Sequence, residues 1–432
     1  MNLVWFRNDL RTRDNSNLIG ASEAGEPILA VYFFDPRHYQ FDKFGFKKTE
    51  KYRAQFLLET ITDLKENLNN LNISLLVYFG KPEDILPELI EKFDIKNVYL
   101  QKEWTSEEAA VLLNVQQNIP QSVKFIEKYD QFLWHPDDIP YDNFSQIPKV
   151  FTYFRKTCEK HTSVRPAKNL PKKLPQENRI DNTTQIPTLQ SLGLAHVKRD
   201  SRSAFPFKGG ENQALERIQS YFFKSKSLKS YKETRNGLVG SAYSSKLSAW
   251  LANGSISPRT IYWQVKKFEE EYIKNDSTYW LIFELMWRDF FKYISLKHGD
   301  SIFKINGIST ATYEWKSNDS VRKEWIDGAT KYAFVNANMI ELATTGWMSN
   351  RGRQNVASFW SKEKQQDWRI GAAYFESMLI DYDVHSNYGN WMYASGVGND
   401  PRDRIFNIEK QAERYDASGN FTRLWLQNNL FD

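Results

Sequence analysis

Short β-type runs alternate with longer segments of helical period through residues 1–130, and that alternation most constrains what the chain can fold into. Leu3 to Phe6, Ile28 to Phe34, Ile73 to Phe79, Asn97 to Gln101 and Val123 to Tyr129 have strand character. Between them, Lys51 to Leu68, Pro82 to Phe93 and Ser106 to Gln117 repeat their apolar residues at helical spacing. Strands separated by helices pair in parallel, because the crossover returns the chain to the same end of the sheet. The pattern predicts an α/β domain with a doubly wound parallel sheet over 1–130. No GxGxxG follows the first strand, which argues against a dinucleotide held there in the usual way.

From 131 to 204 the periodicity gives way to prolines, lysines and polar residues, as in "VRPAKNLPKKLPQENRIDNTTQIP", and a long surface connector is expected. Residues 205–432 read as helical throughout, an all-α domain. "GGENQALERIQSYFF" opens a helix behind paired glycines, and "STYWLIFELMWRDFFKYISLKHG" runs from a Ser/Thr cap to a glycine. Trp368, Ala372, Phe375 and Leu379 share one helical face, so Trp368 should point inward. A chain of 432 residues exceeds one ordinary core, in keeping with this division.

The lone cysteine, Cys158, excludes an internal disulfide and any multi-cysteine metal site, and no metal is expected. "MNLVWFRNDLR" is too polar for a signal peptide and no run approaches the roughly 20 apolar residues of a membrane span. A soluble, cytoplasmic monomer is expected. Net charge is only +5, yet residues 149–235 hold 19 Lys+Arg against 7 Asp+Glu. That excess of 12 suits either a phosphate-facing surface or a solvated linker, and interleaved aromatics ("VFTYFRK") tilt it toward nucleic acid. An aromatic fraction of 15% leaves rings to spare for stacking on a flat ligand or on bases.

Four segments carry chemistry. "SAYSSKLSAWLANGSISPR" leads hydroxyls into a helix beginning near Lys246, which suits a phosphate; a serine N-cap explains the same residues. In "FELMWRDFF", Glu284 and Trp287 are three apart on one face, able to offer a carboxylate and an indole to a base, or to be core tryptophan and surface glutamate. "GWMSNRGRQNVASFW" places Arg351 and Arg353 in an apolar setting where they need anionic partners. "DYDVHSNYGNW" supplies such partners, Asp381 and Asp383, and puts Asn387 one helical turn from Trp391.

Together these segments, with "LVWFRNDLRTRDNSNL", "FPFKGGENQALERI" and "VNANMIELATTGWM", closely resemble the photolyase/cryptochrome flavoproteins, and specifically their DASH class. The resemblance implies FAD as cofactor. It implies that Tyr231 and the loop Ser244, Ser245, Lys246, Leu247 and Ser248 hold the ribityl diphosphate side. Arg353 and Asp381 are then an ion pair beside the isoalloxazine, Asp383 lies near the same ring, and Asn387 faces N5. An amide there is no acid and only donates or accepts a hydrogen bond. Trp391, Trp368 and Trp315 match the family's electron relay to the photoexcited flavin.

The implied reaction is light-driven repair of a cyclobutane pyrimidine dimer by electron transfer from reduced FAD. Glu284 would bond the pyrimidine edge, Trp287 pack on the dimer and Asn350 line the cavity, with Arg235 and Arg351 toward DNA phosphates. Tyr393 and Gln354 stand where duplex-acting photolyases carry a tryptophan and a methionine, which weakens stacking and favours single-stranded DNA. Asn350 and Gln354 also occupy the positions of two histidines needed for (6-4) repair, which is therefore not expected; His385 reads as structural. The class can carry 5,10-methenyltetrahydrofolate as antenna, with "KEWTSEE" offering Glu107, although a helix start capped by Ser106 explains that segment too. The rival reading is a blue-light photoreceptor that binds DNA or RNA and regulates expression without repair. The sequence continues only to 432 beyond "NDPR", whereas signalling members commonly carry a long tail, which favours the enzyme.

Overall fold

The computed structural model describes residues 1–427; positions 428–432 of the expected helical domain lie outside them. Strands β1 (Asn2–Trp5), β2 (Ile28–Phe34), β3 (Ser74–Phe79), β4 (Asn97–Gln101) and β5 (Lys124–Lys128) form one parallel sheet in the order β3-β2-β1-β4-β5. Leu3 sits opposite both Leu29 and Val98. Val4, Ala30 and Val77 feed the core on one face, and Leu3, Leu29, Leu76 and Val98 that on the other, so the strands are apolar on both sides. Helices α1 (Ser16–Glu23), α2 (Lys51–Asn70), α3 (Pro82–Lys92) and α4 (Ser106–Gln117) cover the sheet. Helix α1 escaped the periodicity reading because it is two turns long; Asn15 starts it by accepting from the N–H groups of Asn17 and Leu18. The N-cap of α4 is Thr105 rather than Ser106.

The chain between sheet and helical region is less featureless than expected. It contains α5 (Phe151–His161), which buries Phe151, Phe154 and Cys158, and its first residues Phe132 to Trp134 are also buried. The short apolar content of α5 is diluted by Lys, Arg and Thr, which hides its period. Beyond it stand α6 (Glu211–Ile218), α7 (Tyr231–Thr234), α8 (Ser248–Ala252), α9 (Pro258–Glu271), α10 (Asp276–His298), α11 (Asp319–Ile326), α12 (Ala333–Thr345), α13 (Asn350–Ser358), α14 (Trp368–Met378), α15 (Val384–Ser395), α16 (Ile408–Tyr415) and α17 (Asn420–Leu426). Helix α10 starts at Asn275 in a reciprocal capping box with Thr278, not at a Ser/Thr cap, and ends at Gly299.

The helical layer is fixed to the sheet by buried charge. Asp130 accepts from Arg11 (2.6 Å) and Arg259 (2.8 Å), and Arg259 also pairs with Asp14 (3.0 Å). Glu211 at the start of α6 accepts from the N–H groups of Thr12 and Arg13, both at 2.8 Å. All but Arg13 are buried, so each charge is compensated by its partners rather than by water.

Candidate functional site

The turn from α14 into α15 faces α13. Arg353 donates to both oxygens of Asp381 (2.8 and 3.0 Å) and to the Met348 carbonyl (3.0 Å), so the expected pair is formed. One amide hydrogen of the buried Asn387 is committed to the Ala372 carbonyl at 3.0 Å, which fixes the side chain and leaves its oxygen and second hydrogen for another partner. Asp383 is turned elsewhere: it caps α15 through Ser386 N–H and pairs with Lys292 at 2.8 Å. Burial acts to raise its carboxyl, but Lys292 and neighbouring cations outweigh that and hold it well below the usual range.

The loop 241–248 is pinned from one side. Arg217 donates to the carbonyls of Ser241, Ser244 and Ser245 at 2.9–3.0 Å. Trans peptide geometry leaves the N–H groups of Ser245 and Lys246 on the opposite side. The helix that follows begins at Ser248, later than expected, because Lys246 adopts a left-handed conformation (φ 62°). Tyr231 is buried at the start of α7.

Two buried ionisable groups in and beside this loop lack any polar partner among the described residues: the Lys246 ammonium and both oxygens of Glu341. Lys246 lies over the Tyr243 ring at 3.2 Å, and burial holds it well below its ordinary value. Burial pushes Glu341 up to about 8, despite Lys246 and Arg353. Leaving such groups unmatched costs several kcal/mol, roughly. A ligand carrying phosphates and a ring with amide or imide edges would satisfy them, so the residues present fit a flavin dinucleotide. Glu341 was missed in the sequence, although an acid inside the apolar run of α12 was a readable signal.

The three expected relay tryptophans lie in one region. Trp391 and Trp368 are buried and share a core, and Trp315 is half-buried against it. Helix α14 carries Trp368 and, one turn on, Gly371, where any side chain would collide with the Trp391 indole. Lys316, next to Trp315, is hydrogen-bonded through its backbone to Gln365 and Asp367 just ahead of Trp368.

A second group lines a wall formed by α10, α13 and α15. Trp287 meets Tyr393 edge-on with ring centroids 6.1 Å apart, packs on Phe290 and Phe291 of its own helix, and is stacked at 3.8 Å on Phe151, which α5 of the connector contributes. Glu284 accepts from Arg235 at 2.6 Å, and Arg351 donates to Gln354 at 2.8 Å. Arg235, expected to face phosphates, is thus paired inside the wall, because a partly desolvated carboxylate needs a counter-ion; desolvation still leaves the Glu284 carboxyl raised. Asn350 is exposed at the start of α13. The basic excess of 149–235 is also reduced by outside acids: Arg165 pairs with Asp138, Arg199 with Glu59 and Lys232 with Asp276.

A cavity of about 590 Å³ opens between sheet and helices. Asn8, Gln101, Glu103 and Glu107 place it past the carboxyl ends of β1 and β4, where the strand order reverses and α/β sheets bind ligands. Lys292, Asp383, His385 and Tyr388 close the other side. Glu107 is ion-paired with Lys48 at the rim, and burial raises Glu103 to about 7. His385 stacks on Trp104 at 4.5 Å and shares a 2.7 Å hydrogen bond with Ser295, and burial holds its imidazole well below the ordinary value. Among the described residues no group of His, Cys, Asp and Glu could hold a metal ion, and no helix is long and apolar enough to cross a membrane.

The comparisons agree with this geometry. The DNA photolyase family matches residues 2–176, and the FAD binding domain of DNA photolyase matches 280–429. The chain is 47% identical to a cryptochrome DASH of Gloeobacter violaceus over 98% of its own length and 85% of the relative's. It is 44% identical to the chloroplastic/mitochondrial cryptochrome DASH of Arabidopsis thaliana, over 98% and 75%. The crystal structure of Synechocystis cryptochrome superposes with a TM-score of 0.94 at 44% identity, covering 99% of this chain and 88% of that one. A class III photolyase of Agrobacterium tumefaciens follows at 0.80 and 26%, covering 98% and 86%. An α/β sheet domain joined to a helical FAD-binding domain, with relatives this similar over nearly its whole length, the chain belongs to the photolyase/cryptochrome family as a cryptochrome DASH.

Proposed function

We propose that the protein binds FAD at the Arg353–Asp381 and 244–248 elements and repairs cyclobutane pyrimidine dimers, preferentially in single-stranded DNA. The carrying observation is the wall in which Glu284, Trp287 and Tyr393 stand together with Arg235 behind the carboxylate. When bound, reduced FAD supplies one electron to the dimer under blue light and regains it once the ring has split. The chain's own part is to seat the lesion. Trp287, half-buried and stacked on Phe151, packs its accessible part on the extruded bases, and Glu284 accepts from the pyrimidine edge. Arg351 is tied to Gln354, and Tyr393 presents one ring where duplex-acting enzymes have a larger one. Less stacking energy is then available to offset unstacking of a duplex, a cost of about a few kcal/mol that single strands largely avoid. The cavity past β1 and β4 suits a flat antenna such as methenyltetrahydrofolate, with Glu107 and Glu103 as acceptors.

Glu284→Gln should weaken binding of dimer-containing single strands by about tenfold to a hundredfold, the worth of a charge-assisted hydrogen bond. The flavin content should be unchanged. Titration of a labelled oligonucleotide reads the first, absorption the second; equal affinity would remove Glu284 from the lesion contact.

Asn387→Asp puts a carboxylate against the Ala372 carbonyl, a repulsion relieved when the acid is protonated. The variant should therefore acquire a proton donor beside the flavin, and its photoreduced spectrum should differ from the parent's and depend on pH. Identical spectra across pH would argue against Asn387 lying at N5.

A further inference from the structure

Trp391 touches a second indole that the relay described above does not use. Its ring centroid is 6.2 Å from that of Trp325 in α11, with planes at 79°. Trp325 in turn lies 4.7 Å from Trp360 with planes tilted by 35°, a direct ring–ring contact. Phe375 fills the angle, 5.1 Å from Trp391 and parallel to Trp325 within 10°. Trp325 and Trp360 are fully buried and Trp391 is 2% exposed. Trp360 donates its N–H to the Asp367 carbonyl at 2.9 Å, whereas the Trp325 N–H has no partner among the described residues.

We propose that Trp325 and Trp360 form a side branch of the electron relay, a reversible store for positive charge reached from Trp391. This rests on the reading of Trp391 as electron donor to the flavin. One electron passes from Trp391 to the photoexcited flavin, which is the oxidant. Trp325 then gives one electron to the oxidised Trp391, and the positive charge left behind is shared with Trp360. No covalent bond forms or breaks.

Three features favour the store. Two indoles in direct contact share the charge more widely than either alone. The Asp367 carbonyl, accepting from Trp360, presents its negative end to that charge. Neither ring meets water, which hinders loss of a proton, and the one phenol against Trp325 among the described residues, Tyr374 at 5.7 Å, is itself buried, so the charge returns to Trp391. Trp315 differs in being partly exposed, where an external reductant can complete the reaction. The branch therefore prolongs charge separation without adding to net reduction.

The test uses flavin-loaded protein. Trp368→Phe interrupts the outward route and leaves the branch; it is compared with W368F/W325F and W368F/W360F. Laser-flash absorption follows the indole radical, and near-UV circular dichroism in the dark follows the coupled Trp325–Trp360 pair. The radical in W368F should outlive that in W368F/W325F several-fold, with W368F/W360F between them, and the pair's dichroism should vanish in both double variants. Equal lifetimes in W368F and W368F/W325F, with that dichroism lost, overturn the branch. If W368F/W325F does not bind flavin, W368F/W360F decides, and an unshortened lifetime overturns it. Absence of any indole radical in the unmutated protein instead overturns the donor role of Trp391, while the dichroism still reports the pair.

Discussion

Trp391→Phe is expected to abolish photoreduction of the bound flavin while leaving the flavin in place. Phenylalanine keeps a ring in the packed site against Gly371, but benzene is far harder to oxidise than indole, so the first electron has no source. The Trp391 N–H has no partner among the described residues, so the substitution orphans none of them. Its cost in stability should stay below the roughly 3–5 kcal/mol of a Trp-to-Ala truncation. Illumination with an external reductant, followed by flavin absorption, reads the loss. Photoreduction at the parent's rate would mean that another route feeds the flavin.

Asp130→Asn should cost the folded chain about 3 kcal/mol or more, because it leaves Arg11 and Arg259 buried beside a neutral amide. Asp130 also accepts from the Ser16 N–H and hydroxyl, at 2.9 and 2.7 Å, which an amide cannot fully replace. Burial acts to raise its carboxyl, but Arg11 and Arg259 prevail and hold it below the ordinary 3.8. With the folded value below the unfolded one, the stability it contributes is complete above pH 3.8 and lost as pH falls through the folded value. Chemical denaturation at neutral pH should show the loss. Acid titration should show a shallower decline in the variant, since the residue that titrates is gone. Unchanged stability would mean that water reaches this cluster.

The elements readable in the sequence were those whose own period carried them. Ile28–Phe34 and Asn97–Gln101 are bounded by polar breaks and were placed without error, whereas α1 has only 8 residues and α5 carries its few apolar residues among charged ones. That Arg351 and Arg353 needed acids, with Asp381 and Asp383 as candidates, was legible from charges in apolar surroundings, whereas the choice of Asp381 for Arg353 came from the family resemblance. The pairing of Arg235 with Glu284, the hold of Arg217 on the 244–248 loop and the stacking of Phe151 on Trp287 were not. Each joins segments far apart in the chain, and no local spacing encodes such a meeting. Asp383 shows the same limit, since its partner Lys292 sits on another helix and turns it toward the cavity between the domains.

The central claim, that this chain seats a pyrimidine dimer against reduced flavin, is tested most directly by counting restored thymines. The chemically reduced protein is irradiated with blue light in the presence of dimer-containing oligonucleotides, single-stranded and duplex. Repair of the single strand, with the ordinary duplex repaired far more slowly, is the predicted result. Repair of neither would contradict the enzyme reading and favour a photoreceptor, and equal repair of both would contradict the part assigned to Tyr393 and Gln354.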